Sequence, residues 1–257
     1  MDEIDDDSVV VVATTTKDRF AILERVMARK PRAIICEKPV AQGSDDYQKL
    51  LEIGHRDRIR VFVNFTLRIQ PFYQKIKSEI NGGTDYADYV FFSNLPRSGL
   101  ACVGIHHIDL LCWLFGIRQY EFIGSHFLGT YEQKRNGFFD VIGGMHLKTD
   151  RNGAGVISNS HSTNVCAVQI ILRDVVYNVF EGQRIVTRLN KADTNRVHVE
   201  TVEYRYVSSY MTDIIESCFS GSYAEAKRLP DLQESLLSHQ ILFDYLQRHS
   251  LLDLNFT

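Results

Sequence analysis

Three short apolar runs alternate with two amphipathic segments at the start of the chain, and this alternation limits the possible folds more than any other feature. The apolar runs occupy residues 9–13, 32–36 and 60–65, and the segments between them carry apolar residues at helical spacing. Continuous β-branched runs are typical of parallel strands that are buried on both faces. The order β-α-β-α-β therefore predicts an α/β fold with a doubly wound parallel sheet and right-handed crossovers.

Strand composition dominates the chain after Pro71. Gly, Asn and Asp turns separate runs of strand-like residues, which lie at 85–94, 121–128, 139–147, 155–160, 165–172, 175–180 and 197–207. Helical spacing occurs at 72–80, 104–115, 210–219 and 231–248. We predict two domains: residues 1–65 form the doubly wound domain, and residues 66–257 form an α+β domain around a large, mostly antiparallel sheet.

Charge and cysteine usage exclude several classes of protein. The net charge is -3, and lysine and arginine form no stripe, so we expect neither a nucleic-acid nor a membrane partner. The five cysteines are odd in number and contain no CxxC pair, which is typical of reduced packing residues. The first residues are acidic where a targeting segment would be basic, and we therefore predict a cytoplasmic protein.

Two short segments follow the first two predicted strands and carry candidate site residues. Glu37-Lys38-Pro39 places Lys38 at the carboxyl edge of a strand, where open α/β sheets bind ligands. A charged surface loop is the alternative explanation of this tripeptide. Thr14 and its neighbouring threonines follow the first strand, and their hydroxyls can cap a helix or bind a phosphate.

Several motifs occur in a distinctive order. An Ala-Thr loop after four valines precedes Cys-Glu-Lys-Pro, and an Asn-Phe-x-x-Arg segment precedes Pro71. Then come Gly-Ile-His-His-Ile-Asp at 104–109, Leu-Leu-Cys-Trp-Leu-Phe-Gly at 110–116 and Leu-Pro-Asp-Leu-Gln-Glu-Ser-Leu at 229–236. In this order and spacing, the chain resembles the oxidoreductases named for glucose–fructose oxidoreductase and inositol dehydrogenase (Gfo/Idh/MocA), from about residue 9 to 248.

The resemblance implies a Rossmann domain followed by an α/β domain with an open-faced sheet. It also implies a nicotinamide cofactor, NAD or NADP, and hydride transfer to or from a carbon of a sugar, polyol or nucleotide sugar. A homo-dimer or homo-tetramer formed through the C-terminal sheet is a further implication. The residues that would contact the cofactor are Ala13, Thr14, Thr15, Glu37, Lys38 and Arg68. For Arg68, a salt bridge between the domains is an equally open alternative.

The resemblance assigns the catalytic roles to Lys38 and His106. His106 stands three residues before Asp109, as the H-x-x-D pattern requires, whereas His107 falls on the other side of the helix. A histidine that titrates near neutrality suits acceptance of a hydroxyl proton, and a lysine stabilises the developing negative charge. Asp109 either orients His106 or caps the helix. The histidines in strand-like runs show no metal-ligand spacing, and we predict no metal site; they are His126, His146 and His161.

Two departures from the family pattern affect the predicted activity. Cys102 stands where the family usually has a substrate-binding aspartate, and a thiol cannot supply that carboxylate. No G-x-G-x-x-G precedes Val9, so we expect a Rossmann domain that lacks its N-terminal part, weak NAD(P) binding and impaired activity. The alternative function is that of a non-catalytic relative that binds a sugar or dimerises.

Overall fold

The computed structural model describes residues 3–82, 88–96, 99–159, 165–193 and 196–255. The chain divides into two compact units. The first unit comprises Met1–Ile69, Glu132–Phe139 and Arg205–Thr257, and the second comprises Gln70–Tyr131 and Asp140–Tyr204. No helix among the described residues combines the length and the apolar composition that a membrane crossing requires.

The first unit contains a three-stranded parallel sheet in the order β1-β2-β3. The strands are β1 (Val9–Val12), β2 (Ala33–Cys36) and β3 (Val61–Val63), and the helices α1 (Arg19–Met27) and α2 (Ser44–Asp57) connect them. Val12 lies opposite Cys36, so β1 and β2 end side by side. The predicted β-α-β-α-β order is confirmed.

The second unit contains an eight-stranded sheet in the order β11-β10-β9-β8-β4-β7-β6-β5. Only β4 and β7 pair in parallel among the pairs described, so the predicted mostly antiparallel sheet is confirmed. The helices are α3 (Pro71–Gly82) and α4 (Ile105–Phe115). The strands are β4 (Tyr89–Leu95), β5 (Tyr120–Glu132), β6 (Phe139–Thr149), β7 (Ala154–Asn159), β8 (Ala167–Leu172), β9 (Val175–Phe180), β10 (Ile185–Asn190) and β11 (Val197–Thr201).

Two elements differ from the sequence prediction. β10 was not predicted, because the apolar residues around Arg188 form only a short run. This segment is a strand because it pairs with both β9 and β11. The strand predicted over 197–207 ends at Thr201, and Val207 instead begins helix α5 (Val207–Phe219). Residues 85–87 and residue 160, which were predicted to lie in strands, are outside the described residues.

The end of the chain packs with the first unit, although the sequence prediction placed it with the second domain. Tyr210, Ile214 and Cys218 of α5 form one buried cluster with Ala33 and Ile35 of β2. A sheet must bury its apolar face, and the sequence does not show which distant helix covers it. The last helix, α6 (Leu232–Arg248), begins with a capping box formed by Asp231 and Glu234.

Candidate functional site

The predicted cofactor residues of the first unit lie at the carboxyl ends of two adjacent parallel strands. Ala13 and Thr14 follow β1 and are exposed, while Thr15 is half-buried. Glu37 and Lys38 follow β2 and are half-buried, and the peptide bond between Lys38 and Pro39 is cis. The structure therefore brings these predicted residues to one edge of the sheet.

Arg19 joins the two loops at this edge. Its Nη1 donates hydrogen bonds to the carbonyl oxygens of Glu37, at 2.9 Å, and Pro39. Its Nη2 donates to the carbonyl oxygen of Thr14. The side chain is only 2% exposed, and this burial lowers the pKa of the guanidinium. Arg19 thus fixes the loop after β1 against the turn that carries Lys38.

Arg19 is a support of this edge that the sequence pattern does not single out. A signal was nevertheless present, because Arg19 lies four residues before Leu23 and seven before Val26, on the apolar face of α1. A charged residue on such a face requires partners, since buried charges are normally paired. The identity of these partners, three carbonyl oxygens in two loops, depends on the tertiary structure.

His239 of α6 supports the same turn from the protein interior. Its Nε2 accepts a hydrogen bond from the N–H of Val40 at 3.0 Å, and its Nδ1 donates to the carbonyl oxygen of Ser235 at 2.8 Å. Burial lowers the pKa of His239 to about 4, and the positive charges of Arg19 and Lys38 add to this effect. The imidazole is therefore neutral near pH 7, with one nitrogen available as an acceptor for the turn.

The carboxylate of Glu37 binds another side chain of the first unit. Its Oε1 accepts a hydrogen bond from Nδ2 of Asn64 at 2.5 Å. Oδ1 of Asn64 in turn accepts a hydrogen bond from the hydroxyl of Tyr210 at 3.2 Å, and Asn64 is 1% exposed. This buried network connects the ends of β2 and β3 to α5. At least one carboxylate oxygen of Glu37 thus has a structural role.

Arg68 lies in a short 3₁₀ helix, Thr66–Ile69, that follows β3. It is 6% exposed, which is unusual for an arginine. The structure places Arg68 in the first unit, and both of its predicted roles remain predictions.

In the second unit, a π-helix, Gly99–Gly104, leads directly into α4 and carries Cys102. Cys102 is half-buried, and its N–H donates to Oδ2 of Asp140 at 3.0 Å. The N–H of Ala101 donates to Oδ1 of Asp140 at 2.8 Å. The first N–H groups of a helix have no acceptor within the helix. The fully buried carboxylate of Asp140 accepts hydrogen bonds from two such groups, and its negative charge is favourable at the start of a helix. The sequence pattern predicts a strand at Asp140 but does not show this contact, which depends on the tertiary structure.

Gly99 allows this close approach. Its φ of 51° lies in the left-handed region, and an added Cβ would stand 1.9 Å from Cγ of Asp140. A residue with a side chain therefore cannot occupy position 99 without displacing the carboxylate.

His106 and Asp109 lie three residues apart in α4. His106 is half-buried and Asp109 is 1% exposed. The alternative that Asp109 caps the helix is wrong, because Gly104 is the N-cap and the first turn contains no acidic residue. The neighbouring His107, which was not predicted to be catalytic, is buried, and its Nδ1 lies 2.9 Å from Oγ of Ser93 in β4. Burial lowers the pKa of His107.

The site residues thus form two groups. Those of the first unit surround the turn at Lys38, and Cys102, His106 and Asp109 share one continuous helical segment of the second unit.

Comparisons with known proteins identify the fold. No family model matches the chain, and no curated protein matches its sequence. Among solved structures, UDP-N-acetylglucosamine 3-dehydrogenase GnnA from Acidithiobacillus ferrooxidans matches with a TM-score of 0.74 at 12% identity, over 95% of this chain and 79% of that chain. An oxidoreductase from Sinorhizobium meliloti matches with a TM-score of 0.75 at 11% identity, over 94% and 76%.

A third match is a variant of KijD10, a 3-ketoreductase from Actinomadura kijaniata, in complex with TDP-benzene and NADP. Its TM-score is 0.70 at 14% identity, over 96% of this chain and 78% of that chain. At these identities the likeness establishes the architecture, not the reaction. The chain has the fold of these oxidoreductases.

Proposed function

We propose that this protein is an NAD(P)-dependent oxidoreductase that transfers hydride to or from a carbon of a sugar, polyol or nucleotide sugar. The observation that carries the proposal is the turn at Lys38, which follows β2 and is held by two buried side chains, Arg19 and His239. Rigid support of this kind is typical of residues that must be positioned for chemistry. The fold shared with GnnA, a dehydrogenase, and with KijD10, a ketoreductase bound to NADP, supports a nicotinamide-dependent reaction.

The residues at the carboxyl ends of β1 and β2 suit the nicotinamide end of such a cofactor. Ala13 is small and exposed, Thr14 and Thr15 offer hydroxyls, and Lys38 offers a cation at the same edge. When bound, NAD or NADP accepts or donates the hydride. The prediction of weak binding is checked by calorimetry with each cofactor, and a micromolar or lower Kd contradicts it.

Lys38 and His106 each have a separate proposed role. Lys38 donates a hydrogen bond to the reacting oxygen and stabilises the negative charge that develops there. His106 accepts the proton that leaves the substrate hydroxyl. Asp109, on the same helix, is proposed as a substrate-site residue that orients His106.

The test is turnover of the full chain with NAD⁺ or NADP⁺ and a panel of nucleotide sugars, sugars and polyols, followed by the absorbance of the reduced nicotinamide. We expect Lys38→Ala and His106→Ala each to lower kcat by roughly 10²- to 10³-fold, the usual effect of losing a positioned acid–base or charge-stabilising group. Lys49→Ala and His55→Gln are matched controls on α2, and both should retain turnover.

Two results would be decisive: one contradicts the proposed activity, and the other contradicts a residue role. The first is the absence of cofactor reduction with every substrate in the panel and with either cofactor. The second is unchanged turnover in Lys38→Ala or His106→Ala, which would refute the role of that residue while leaving the activity in place.

A non-catalytic sugar-binding or dimerising role is the second candidate, and Cys102 favours it. The thiol replaces the carboxylate that the family resemblance implies, and the backbone N–H of Cys102 is bound to Asp140. Binding of a sugar without turnover would support this role. Cys102→Asp should then raise turnover, because it restores the carboxylate, and it should have no such effect if the protein is already an efficient enzyme.

A further inference from the structure

A histidine, a cysteine and a glutamate from distant parts of the sequence meet in the second unit. Nε2 of His107 lies 3.7 Å from Sγ of Cys166, and Sγ lies 3.6 Å from Oε2 of Glu181. The ligand atoms of the three residues all lie within 4.8 Å of one another. We propose that His107, Cys166 and Glu181 form a binding site for Zn²⁺, independently of the proposed oxidoreductase activity.

The two distances to the sulfur match those across a tetrahedral zinc centre. With Zn–S near 2.3 Å and Zn–N or Zn–O near 2.0–2.2 Å, tetrahedral angles place the sulfur about 3.6 Å from each of the other ligand atoms. The separations from Cys166 to His107 and Glu181 agree with this value within about 0.1 Å. The two separations that involve the sulfur therefore already have the lengths of a zinc centre, and the third, between the ligand atoms of His107 and Glu181, is no more than 4.8 Å.

The strand register explains why Cys166 and Glu181 meet. Ala167 of β8 lies opposite Phe180 of β9 in an antiparallel pair. Cys166 immediately precedes the first of these residues and Glu181 immediately follows the second, so the two side chains flank the same end of the strand pair. His107 reaches them from the first turn of α4.

Two further side chains orient the ligands. Oγ of Ser93 lies 2.9 Å from Nδ1 of His107, so a proton on Nδ1 leaves the lone pair of Nε2 directed toward the sulfur. The hydroxyl of Tyr73 donates to Oε1 of Glu181 at 2.7 Å, which leaves Oε2 for the metal. Such outer hydrogen bonds are a regular feature of metal sites.

A network of hydrogen bonds without metal is the competing explanation. A thiol is a weak donor and a weak acceptor, and Cys166 would have to satisfy both His107 and Glu181 at distances of 3.6 Å or more. A zinc ion satisfies all three groups at once, because nitrogen, sulfur and carboxylate oxygen are its usual ligands.

The donor set also indicates which metal would bind. A thiolate and an imidazole disfavour Mg²⁺ and Ca²⁺, which prefer oxygen ligands, and favour Zn²⁺. Coordination would occur through the thiolate, with the thiol proton released to solvent. Three protein ligands leave the fourth position for a water molecule.

The test uses the full chain after removal of metal with a chelator. Zn²⁺ affinity is measured by competition with a chromophoric chelator, and Co²⁺ is added separately to detect a thiolate-to-cobalt charge-transfer band. We expect one equivalent of either ion, and the charge-transfer band should disappear in Cys166→Ser. His107→Gln and Glu181→Gln should each weaken Zn²⁺ binding by about 100-fold or more, and Ser93→Ala by roughly 10- to 100-fold.

Cys102→Ser and His146→Gln are the controls, since they remove another half-buried cysteine and an exposed histidine of the same unit. Both should bind Zn²⁺ as the unmodified chain does, and far-UV circular dichroism verifies that every variant is folded. No stoichiometric binding at micromolar Zn²⁺ would overturn the proposal. So would equal affinity in Cys166→Ser and the unmodified chain, or a cobalt spectrum without the thiolate band.

Discussion

The buried His239 should make the stability of the protein depend on pH in a specific window. The pKa of an unperturbed histidine is 6.5, and burial lowers that of His239 to about 4 in the folded chain. Between these values the unfolded chain binds a proton that the folded chain does not. The free energy of unfolding therefore falls as the pH falls through this window, and it is unaffected by His239 well above pH 6.5.

The size of the effect follows from the two pKa values. One pKa unit corresponds to about 1.4 kcal/mol, so complete protonation costs roughly 3 kcal/mol. Between pH 7.5 and pH 5, linkage gives a loss of about 2 kcal/mol. This is a large part of the 5–15 kcal/mol that typically stabilises a folded protein. Protonation also removes the acceptor that Nε2 offers to the N–H of Val40.

The assay is urea unfolding at a series of pH values, followed by far-UV circular dichroism, for the unmodified chain and His239→Gln. The variant should be less stable at neutral pH, but the difference between the two chains should shrink by about 2 kcal/mol on going from pH 7.5 to pH 5. His55→Gln, which changes an exposed histidine, should instead run parallel to the unmodified chain. A constant difference between the unmodified chain and His239→Gln across this range would refute the reasoning.

Three further predictions concern the supports of the fold. Arg19→Met should lower the free energy of unfolding by about 3 kcal/mol or more, because hydrogen bonds made by a charged group contribute about 1.5–3 kcal/mol each. Arg25→Met, an exposed change on the same helix, should change it by less than about 0.5 kcal/mol in the same urea titration. Gly99→Ala should lower the thermal midpoint strongly because of its backbone angle and the clash of its Cβ, whereas Gly124→Ala, which has open space around the added atom, should not. Asp231→Ala should lower the free energy of unfolding by about 1 kcal/mol in a urea titration, because the capping box is lost. An unchanged free energy of unfolding in this variant would contradict the stabilising role of the cap.

The elements that the sequence predicts well are those whose pattern is strong within a short segment. The four valines of β1, the buried run of β2 and the apolar helix α4 were all predicted close to their observed bounds. β10 was missed because its pairing with β9 and β11, rather than its own composition, makes it a strand. The start of α5 was assigned to a strand for a similar reason, since the apolar residues before Tyr210 fit either structure locally.

The candidate site likewise contains residues that the sequence identifies and residues that only the structure identifies. The sequence identified Lys38 as a residue at the carboxyl edge of a strand, because motif and strand lie next to each other along the chain. It did not identify His239, which lies about 200 residues away and bonds to the backbone beside that lysine. It also treated Asp140 as an ordinary strand residue, although its carboxylate binds the start of the helical segment that carries Cys102.

The sequence alone determined the alternation of strands and helices, the mostly antiparallel second sheet and the candidate residues that adjoin a recognisable element. These features depend on periodicity and on neighbours within a few residues. Only the tertiary structure decided which groups support the turn at Lys38 and which helix covers the first sheet. It also brought His107, Cys166 and Glu181 together. The physical reason is that these contacts join side chains separated by long stretches of chain, and their partners are chosen by strand register and helix packing.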